Sequence, residues 1–223
     1  MDTIQKIHNL IILDESGSMY SIYEPALDGV NETLQTIRKA KETYPEQDHF
    51  VTLVTFNTGQ YNKINNSTPI EMASDFKSSQ YHPRGSTPLY DAIGKALNDL
   101  RLLVEDEDIV LVTIITDGYE NASREFTGKA IKVLIDELKK KDWVFTYIGA
   151  NQDVENVAIS LSINNHISFD ANVEGTKMMF AKERSSRSRF FDKIHRNSDC
   201  IFSEKENIRD NYFEDDEISD LKS

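Results

Sequence analysis

Two kinds of hydrophobic stretch alternate along the 223 residues of the chain. Short continuous apolar runs are typical of buried strands, whereas apolar residues that recur every three or four positions form one face of a helix. Such alternation predicts a doubly wound, Rossmann-like α/β domain in which helices cover a mostly parallel sheet. The strand-like runs lie at 7–13, 50–56, 61–64, 109–116, 143–148 and 166–169, and the helical repeats lie at 27–37, 89–104, 126–138, 154–161 and 177–196.

One connection departs from the parallel pattern. Only a short turn around Asn57, Thr58 and Gly59 separates the second strand from the third. Parallel neighbours need a crossover of about a dozen residues or more, so this pair predicts a hairpin with one antiparallel edge strand. The polar, irregular stretch 68–83 that follows is predicted to be a surface connection.

The end of the chain falls into a basic part and an acidic part. Residues 177–196 carry seven Lys or Arg against two Asp or Glu, and residues 197–223 carry nine Asp or Glu against three Lys or Arg. High charge with low hydrophobicity favours disorder, which predicts one domain over 1–196 and a disordered tail over 197–223. Two interpretations remain open for this region: a solvated basic helix with a frayed terminus, or a regulatory tail that lies against the helix.

Overall composition narrows the range of partners. Acidic residues outnumber basic ones by 38 to 25, and the formal net charge of -13 would repel phosphate backbones and anionic lipids. We therefore expect neither nucleic acid nor a membrane as the partner. The single cysteine, Cys200, allows no intramolecular disulfide, and the first residues lack the features of a signal peptide. The expectation is a cytoplasmic location.

Three short segments carry the side chains with the clearest chemistry. Asp14, Ser16 and Ser18 follow the first predicted strand, Thr87 precedes a predicted helix, and Asp117 follows the fourth predicted strand. Ligands of parallel α/β sheets bind outside the carboxyl ends of the strands, so both aspartates are expected to share one crevice. Two carboxylates and three hydroxyls form an all-oxygen set, which suits Mg²⁺ or Mn²⁺ and suits zinc or copper poorly.

The charge of this oxygen set indicates how it would be used. Two carboxylates nearly neutralise a divalent ion, while hydroxyl ligands leave the ion electron-poor and partly hydrated. A carboxylate from another protein could then displace a water and complete the coordination. The sequence therefore predicts a metal-dependent site that binds an acidic residue of a protein partner.

These five residues resemble the metal-ion-dependent adhesion site (MIDAS) of von Willebrand factor A (vWA) domains, whose pattern is Asp-x-Ser-x-Ser, then Thr, then Asp. The resemblance covers about residues 5–170 and looks closest to stand-alone cytoplasmic A-domain proteins of bacteria and phages. It implies the vWA fold and a metal-dependent binding module rather than an enzyme, with a partner's acidic side chain as the last metal ligand. The residues expected to form the rim that selects the partner are Tyr20, Tyr23, Arg84, Tyr119 and Glu120.

A metal-dependent hydrolase of the phosphoesterase type is the alternative. Haloacid-dehalogenase-like phosphatases also place an Asp after the first strand, but their acid/base carboxylate two residues later is replaced here by Ser16. No other general base stands out in the sequence, and no Gly-rich phosphate loop follows a strand. A third hypothesis, a nucleic-acid surface on the basic helix, is disfavoured by the acidic remainder of the chain.

Overall fold

A computed structural model describes residues 4–150, 153–196 and 211–214 of the protein. Within this part of the chain, six strands form one sheet in the order β3-β2-β1-β4-β5-β6. The strands are β1 (Gln5–Asp14), β2 (Gln47–Asn57), β3 (Gln60–Pro69), β4 (Ile109–Thr116), β5 (Trp143–Gly149) and β6 (Asn165–Ser168). The helices are α1 (Tyr23–Thr43), α2 (Leu89–Leu100), α3 (Gly128–Lys139), α4 (Val154–Ser160) and α5 (Val173–Arg196).

Neighbouring strands run parallel except β2 and β3, which pair antiparallel. The predicted doubly wound α/β sheet with one antiparallel edge strand is therefore confirmed. The strand order reverses at β1, which lies between β2 and β4. Ligands of such sheets bind beside this reversal, at the carboxyl ends of the strands. The ends of β1 and β4 are accordingly the first place to look for a site.

Apolar side chains fill both faces of the sheet, as β1 illustrates. Ile7, Ile11 and Leu13 belong to the core that includes residues of α1 and α5, while Leu10 and Ile12 belong to the core that includes residues of α2 and α3. Successive side chains of a strand point to opposite faces, so a strand that is buried on both faces is continuously apolar. This is why the parallel strands could be located from the sequence.

The stretch 68–83 runs along the surface, as predicted, but buried side chains also anchor it in the protein core. Phe76 and Tyr81 are buried, and the Asn31 side chain pairs with both the N–H and the C=O of Phe76. The Tyr81 hydroxyl donates to the backbone carbonyl of Asp14 at 3.0 Å. Single apolar residues between polar ones produce no helix or strand period, so the sequence pattern did not indicate this anchoring. The stretch helps to hold the end of β1 in place.

Helix α5 is packed against the domain, contrary to the interpretation of a solvated basic helix. Phe180 is buried beside α1, and Arg187 is fully buried. The Arg187 guanidinium donates to Asn9 Oδ1 at 2.7 Å and to Thr113 Oγ1 at 2.8 Å, and it forms an ion pair with Glu183 at 2.7 Å. A buried charge is tolerated when it is paired and hydrogen-bonded in this way. The inner face of α5 therefore carries a neutral ion pair rather than free positive charge.

The described part of the acidic tail, residues 211–214, departs from the predicted disorder. Tyr212 and Phe213 are buried in the core that includes residues of α1 and α5. The Tyr212 hydroxyl donates to Glu183 Oε1 at 3.1 Å. The other tail residues, over which disorder was also predicted, lie outside the described ones. In the described segments, no helix is long and apolar enough to cross a membrane.

Candidate functional site

The carboxyl ends of β1 and β4 hold the two aspartates that were predicted to bind a metal. Asp14 is the last residue of β1, and Asp117 directly follows β4. They are 0% and 2% exposed. The Ser18 hydroxyl donates to Asp117 Oδ1 at 2.5 Å, and Ser16 Oγ lies 3.2 Å from Ser18 Oγ. The loop after β1 and the end of β4 thus form one cluster of oxygen atoms.

The Asp14 carboxylate is held by two hydrogen bonds. Its Oδ1 accepts the Ser16 backbone N–H at 2.7 Å, and its Oδ2 accepts the Thr116 hydroxyl at 2.7 Å. Burial nonetheless raises the pKa of Asp14 to about 6, and burial also raises the pKa of Asp117. Thr116 is not one of the residues that the sequence motif indicates, although its place one residue before Asp117 was a usable signal. Because two buried carboxylates are costly to ionise together, a bound cation would relieve their charge.

Thr87 approaches the same oxygen atoms from the loop before α2. A Cβ added to Gly118 would lie 3.4 Å from Thr87 Oγ1 and 3.6 Å from Ser18 Oγ, so both hydroxyls border the space beside Gly118. The Thr87 N–H donates to Asn121 Oδ1 at 2.9 Å, and the Asn121 N–H donates to the Thr87 carbonyl at 3.1 Å. Asn121, which sequence analysis did not assign to the site, therefore positions Thr87 against the loop after β4.

Backbone hydrogen bonds join the loop after β1 to the loop before α2. The Arg84 N–H donates to the Glu15 carbonyl at 2.9 Å, and the Gly17 N–H donates to the Gly85 carbonyl at 3.0 Å. Gly85 has a φ of 71°, in the left-handed region that glycine adopts without steric cost. The two loops support each other, so the hydroxyls they carry are held in fixed relative positions.

Three of the five predicted rim residues are exposed beside this cluster. Tyr20 is 75% exposed, Tyr119 is 54% exposed, and Arg84 is also exposed. Tyr23 is half-buried, where it stacks on Tyr81 and donates its hydroxyl to a backbone carbonyl at 3.1 Å. Tyr20, Tyr23, Tyr81 and Arg84 line an open cleft of about 710 Å³. Tyr81 is buried beneath the cleft, so a partner could contact the other three side chains.

Glu120, the fifth predicted rim residue, is engaged within the chain. Its Oε1 accepts the N–H groups of Ala122 and Ser123, and its Oε2 accepts the Tyr90 N–H and the Ser123 hydroxyl. The Glu120 carboxylate therefore joins the loop after β4 to the first turn of α2. Its structural role is to hold the two loops together.

The chemistry of the donor atoms determines which ion the residues would fit. Among the described residues, no group of three or more His, Cys, Asp or Glu side chains is placed to hold a metal. An ion at the oxygen cluster would thus depend on hydroxyl ligands as well as on the two carboxylates. Mg²⁺ and Mn²⁺ prefer oxygen ligands, and Mg²⁺ usually keeps several waters. The residues present fit such an ion.

Similarity to known proteins is found in shape rather than in sequence. No protein-family model and no curated protein matches the chain. The PilB minor pilin from Streptococcus sanguinis has a TM-score of 0.59 at 13% identity, over 85% of this chain and 63% of the pilin. The SpRpn10 VWA domain has a TM-score of 0.57 at 14% identity, over 79% of this chain and 94% of that domain. The pilus adhesin SpaC from Lactobacillus rhamnosus GG has a TM-score of 0.59 at 13% identity, over 84% of this chain and 30% of the adhesin.

The chain spans less than two thirds of the pilin and less than one third of the adhesin, whereas it spans nearly all of the VWA domain. At these identities the similarity concerns the fold alone. The strand order and the single antiparallel edge strand agree with it. The chain is therefore an α/β protein with the fold of a VWA domain.

Proposed function

We propose that the protein is a metal-dependent binding module that captures an acidic side chain of a protein partner through Mg²⁺ or Mn²⁺. The observation that carries this proposal is the convergence of Asp14, Ser16, Ser18, Thr87 and Asp117 from three separate segments at the carboxyl ends of β1 and β4. The fold shared with a VWA domain, and the description of another structural neighbour as a pilus adhesin, are consistent with a binding role.

The charge balance of the site favours a carboxylate as the incoming ligand. When bound, Mg²⁺ would supply positive charge and exchangeable water positions. Asp14 and Asp117 contribute two negative charges, so the loaded site is close to neutral and a third carboxylate is not repelled. Ser16, Ser18 and Thr87 add oxygen atoms without adding charge. Both properties support an acidic side chain as the partner's contribution.

The neighbouring cleft gives the partner a second surface to contact. Tyrosine side chains are enriched in recognition surfaces because they bury a large area at a small cost in conformational entropy. Tyr20 and Tyr23 provide such surfaces here, and Arg84 provides a cation next to them. We therefore expect the residue that flanks the partner's carboxylate to be apolar, and to pack on the two tyrosines.

A metal-dependent hydrolase would be the alternative use of the same residues. Hydrolysis would need a group that activates water close to the ion. Glu15 is the carboxylate next to the site in sequence, but it is completely buried and accepts the backbone N–H of His82. We propose binding for this reason. A phosphoesterase assay with added Mg²⁺ distinguishes the two functions, because turnover that is lost in Asp14→Ala would support the hydrolase.

Isothermal titration of the full chain with MgCl₂ and MnCl₂ tests the metal site. We expect saturable binding at one site, weakened about tenfold or more in Thr87→Ala and in Ser18→Ala because each change removes one oxygen ligand. Ser86→Ala is the matched control, since this hydroxyl is exposed next to Thr87 in the same loop. No binding of either ion by the unmodified protein would refute the proposal.

Binding of a carboxylate is tested separately with a short blocked peptide that contains one aspartate. We expect the peptide to bind with Mg²⁺ present and not with EDTA, and the asparagine version of the peptide not to bind at all. Capture from the native lysate, with Mn²⁺, with chelator and with Asp14→Ala, would then identify the partner. A partner that is retained equally in all three conditions would contradict a metal-dependent contact.

A further inference from the structure

The described part of the acidic tail is fixed to the domain through Tyr212. The Tyr212 N–H donates to Asn165 Oδ1 at 3.0 Å, and the Tyr212 hydroxyl donates to Glu183 Oε1 at 3.1 Å. The Tyr212 ring packs on the ring of Phe190, with 5.8 Å between the two centroids, and Tyr212 is only 4% exposed. The tail therefore passes the start of β6 at a defined point, and residues 215–223 continue from there.

The sequence beyond this anchor has the chemistry that the metal site is expected to bind. Residues 215–223 lie outside the described segments and contain four acidic residues. Only Glu217 and Asp220 among them are followed by an apolar residue. The proposed function calls for a carboxylate flanked by an apolar side chain, and Asp220 with Leu221 supplies both. The chain thus carries a copy of its own expected ligand.

The register of the sheet gives the distance from the anchor to the metal site. Asn165 pairs with Thr146 of β5, Thr146 pairs with Thr113 of β4, and Thr113 pairs with Ile11 of β1. Asp14 lies three residues beyond Ile11. Strands lie about 4.8 Å apart and rise about 3.3 Å per residue, so Asp14 is about 14 Å across the sheet from Asn165 and about 10 Å nearer the carboxyl edge. A path along these two directions is about 24 Å long.

The tail beyond Tyr212 is long enough to bring Asp220 to the metal site. An extended chain spans at most about 3.3–3.6 Å per residue, so the step from Tyr212 to Asp220 reaches about 26–29 Å. The step to Glu217 reaches only about 16–18 Å. No shorter direct path is open, because α5 covers this face of β1 and β4. Asp220 can therefore meet an ion bound by Asp14 while Tyr212 stays in place, and Glu217 cannot.

The cleft beside the metal site matches the residues that follow the carboxylate. Tyr20 and Tyr23 line this cleft and offer ring surface to Leu221. Glu24 also lines it and is exposed, so it can pair with the charge of Lys222. The first residue of α5 is part of the same lining, so the helix that anchors the tail leads to the cleft.

We propose that the tail is an internal ligand of the metal site: Asp220 takes the place of the partner's carboxylate, and Leu221 packs on the cleft tyrosines. This inference rests on the proposed function, because it requires a bound ion that accepts a carboxylate, and it adds the regulation of that site. A short tether gives an effective concentration in the mM range, so a segment with a dissociation constant of about 0.1 mM would fill the site about nine-tenths of the time. A partner must then displace the tail.

Binding of a labelled, blocked aspartate peptide to the full chain in Mg²⁺, measured by fluorescence polarisation, tests this regulation. Asp220→Asn should bind the peptide about tenfold more tightly than the unmodified protein, because its site is no longer occupied from within. Leu221→Ala should change the affinity in the same direction. Asp216→Asn is the matched control: it removes the same charge, but Asp216 lies only four residues beyond Tyr212 and precedes no apolar residue. Its affinity should equal that of the unmodified protein.

¹H–¹⁵N NMR of the full chain gives a direct measurement of the same contact. Mg²⁺ should shift the amide signals of Asp220 and Leu221 in the unmodified protein, EDTA should reverse the shift, and Thr87→Ala should not show it. The shift should be independent of protein concentration, because the ligand belongs to the same chain. A shift that disappears on dilution would assign the ligand to the tail of a second copy and would overturn the internal contact.

Two further results would overturn the proposal. One is equal peptide affinity in Asp220→Asn and the unmodified protein. The other is an equal gain in Asp216→Asn, which would point to net charge alone. If the peptide still binds in Mg²⁺ and not in EDTA, either result leaves the proposed function intact and removes only the internal ligand. If Asp220→Asn binds neither the ion nor the peptide, the proposed function itself fails.

Discussion

Replacing Asp14 by asparagine removes the charge of this side chain and keeps its shape, so the variant isolates the electrostatic cost of burying the carboxylate. Burial raises the pKa of Asp14 from 3.8 to about 6. The Asp14 carboxyl therefore stabilises the folded state fully when it is protonated, below pH 3.8, and this contribution to the free energy of unfolding is lost as the pH rises through about 6. A shift of about two pKa units corresponds to about 3 kcal/mol at neutral pH. Without metal, the ionised Asp14 should weaken the folded state by this amount.

Asparagine keeps the shape of the side chain and removes the charge. Its Oδ1 can still accept the Ser16 N–H, and its Nδ2 can donate to the Thr116 hydroxyl, which then turns its own proton toward the Gly118 carbonyl 3.2 Å away. The amide still loses solvation on burial, so we expect a net gain of about 1–3 kcal/mol at pH 7.5 in EDTA. For a chain of this length, each kcal/mol raises Tm by about 2–4 °C.

Calorimetry in EDTA at pH 7.5 and at pH 4.5 measures this gain. The Asp14→Asn variant should be more stable than the unmodified protein at pH 7.5, and the difference should shrink at pH 4.5, where the native carboxyl is protonated. Mg²⁺ should stabilise the unmodified protein and not the variant. Asp28→Asn is the matched control, because Asp28 is exposed on α1. A lower Tm for Asp14→Asn at pH 7.5 in EDTA would refute the reasoning.

Three further predictions concern packing, burial and protonation. Gly29→Ala should lower the free energy of unfolding, measured in urea, by about 1–3 kcal/mol, because the new Cβ would lie 2.1 Å from Phe180 Cδ2. A higher free energy of unfolding, as expected for alanine in a helix with free space around it, would contradict this packing. Arg187→Met should lower the free energy of unfolding by about 3–5 kcal/mol, because it leaves Glu183 buried without its ion-pair partner. Adding Glu183→Gln to this variant should restore part of the lost stability. If the double variant instead loses the sum of the two single losses, the ion pair does not contribute to stability. Mg²⁺ affinity, measured by titration calorimetry, should fall about tenfold from pH 7 to pH 5, because Asp14 must lose its proton when the ion binds. A Mg²⁺ affinity that does not change between these pH values would exclude Asp14 as a ligand.

The elements that sequence analysis located well are those with a continuous local pattern. β4 was predicted at 109–116 and is found at Ile109–Thr116. The edge strand β3 was predicted over 61–64 and extends to Pro69, because an edge strand pairs through its backbone and does not need apolar side chains on both faces. α2 ends at Leu100 rather than at 104. The apolar repeat continued past the helix end, although Leu102 is 80% exposed there.

The five oxygen residues could be named in advance because a motif is local to each loop and the ends of parallel strands meet at one edge. The residues that hold these five in place could not be identified in this way. Thr116 holds Asp14 across 102 residues of sequence, and Asn121 holds Thr87 across 34. Hydrogen bonds of this kind depend on which loops the sheet brings together, so they leave no period in the sequence.

The sequence by itself determined the succession of strands and helices along the chain, the antiparallel hairpin, and the oxygen donors of the candidate site, which suit a hard cation. All three follow from local periodicity and side-chain chemistry. Only the tertiary structure decided which charges are buried. Arg187 is one of seven basic residues in the last helix by sequence, yet it is bonded to Asn9, 178 residues away. Glu120 likewise belongs to an exposed loop by sequence but is turned inward by four hydrogen bonds. The physical reason is that burial is a property of contacts between distant segments.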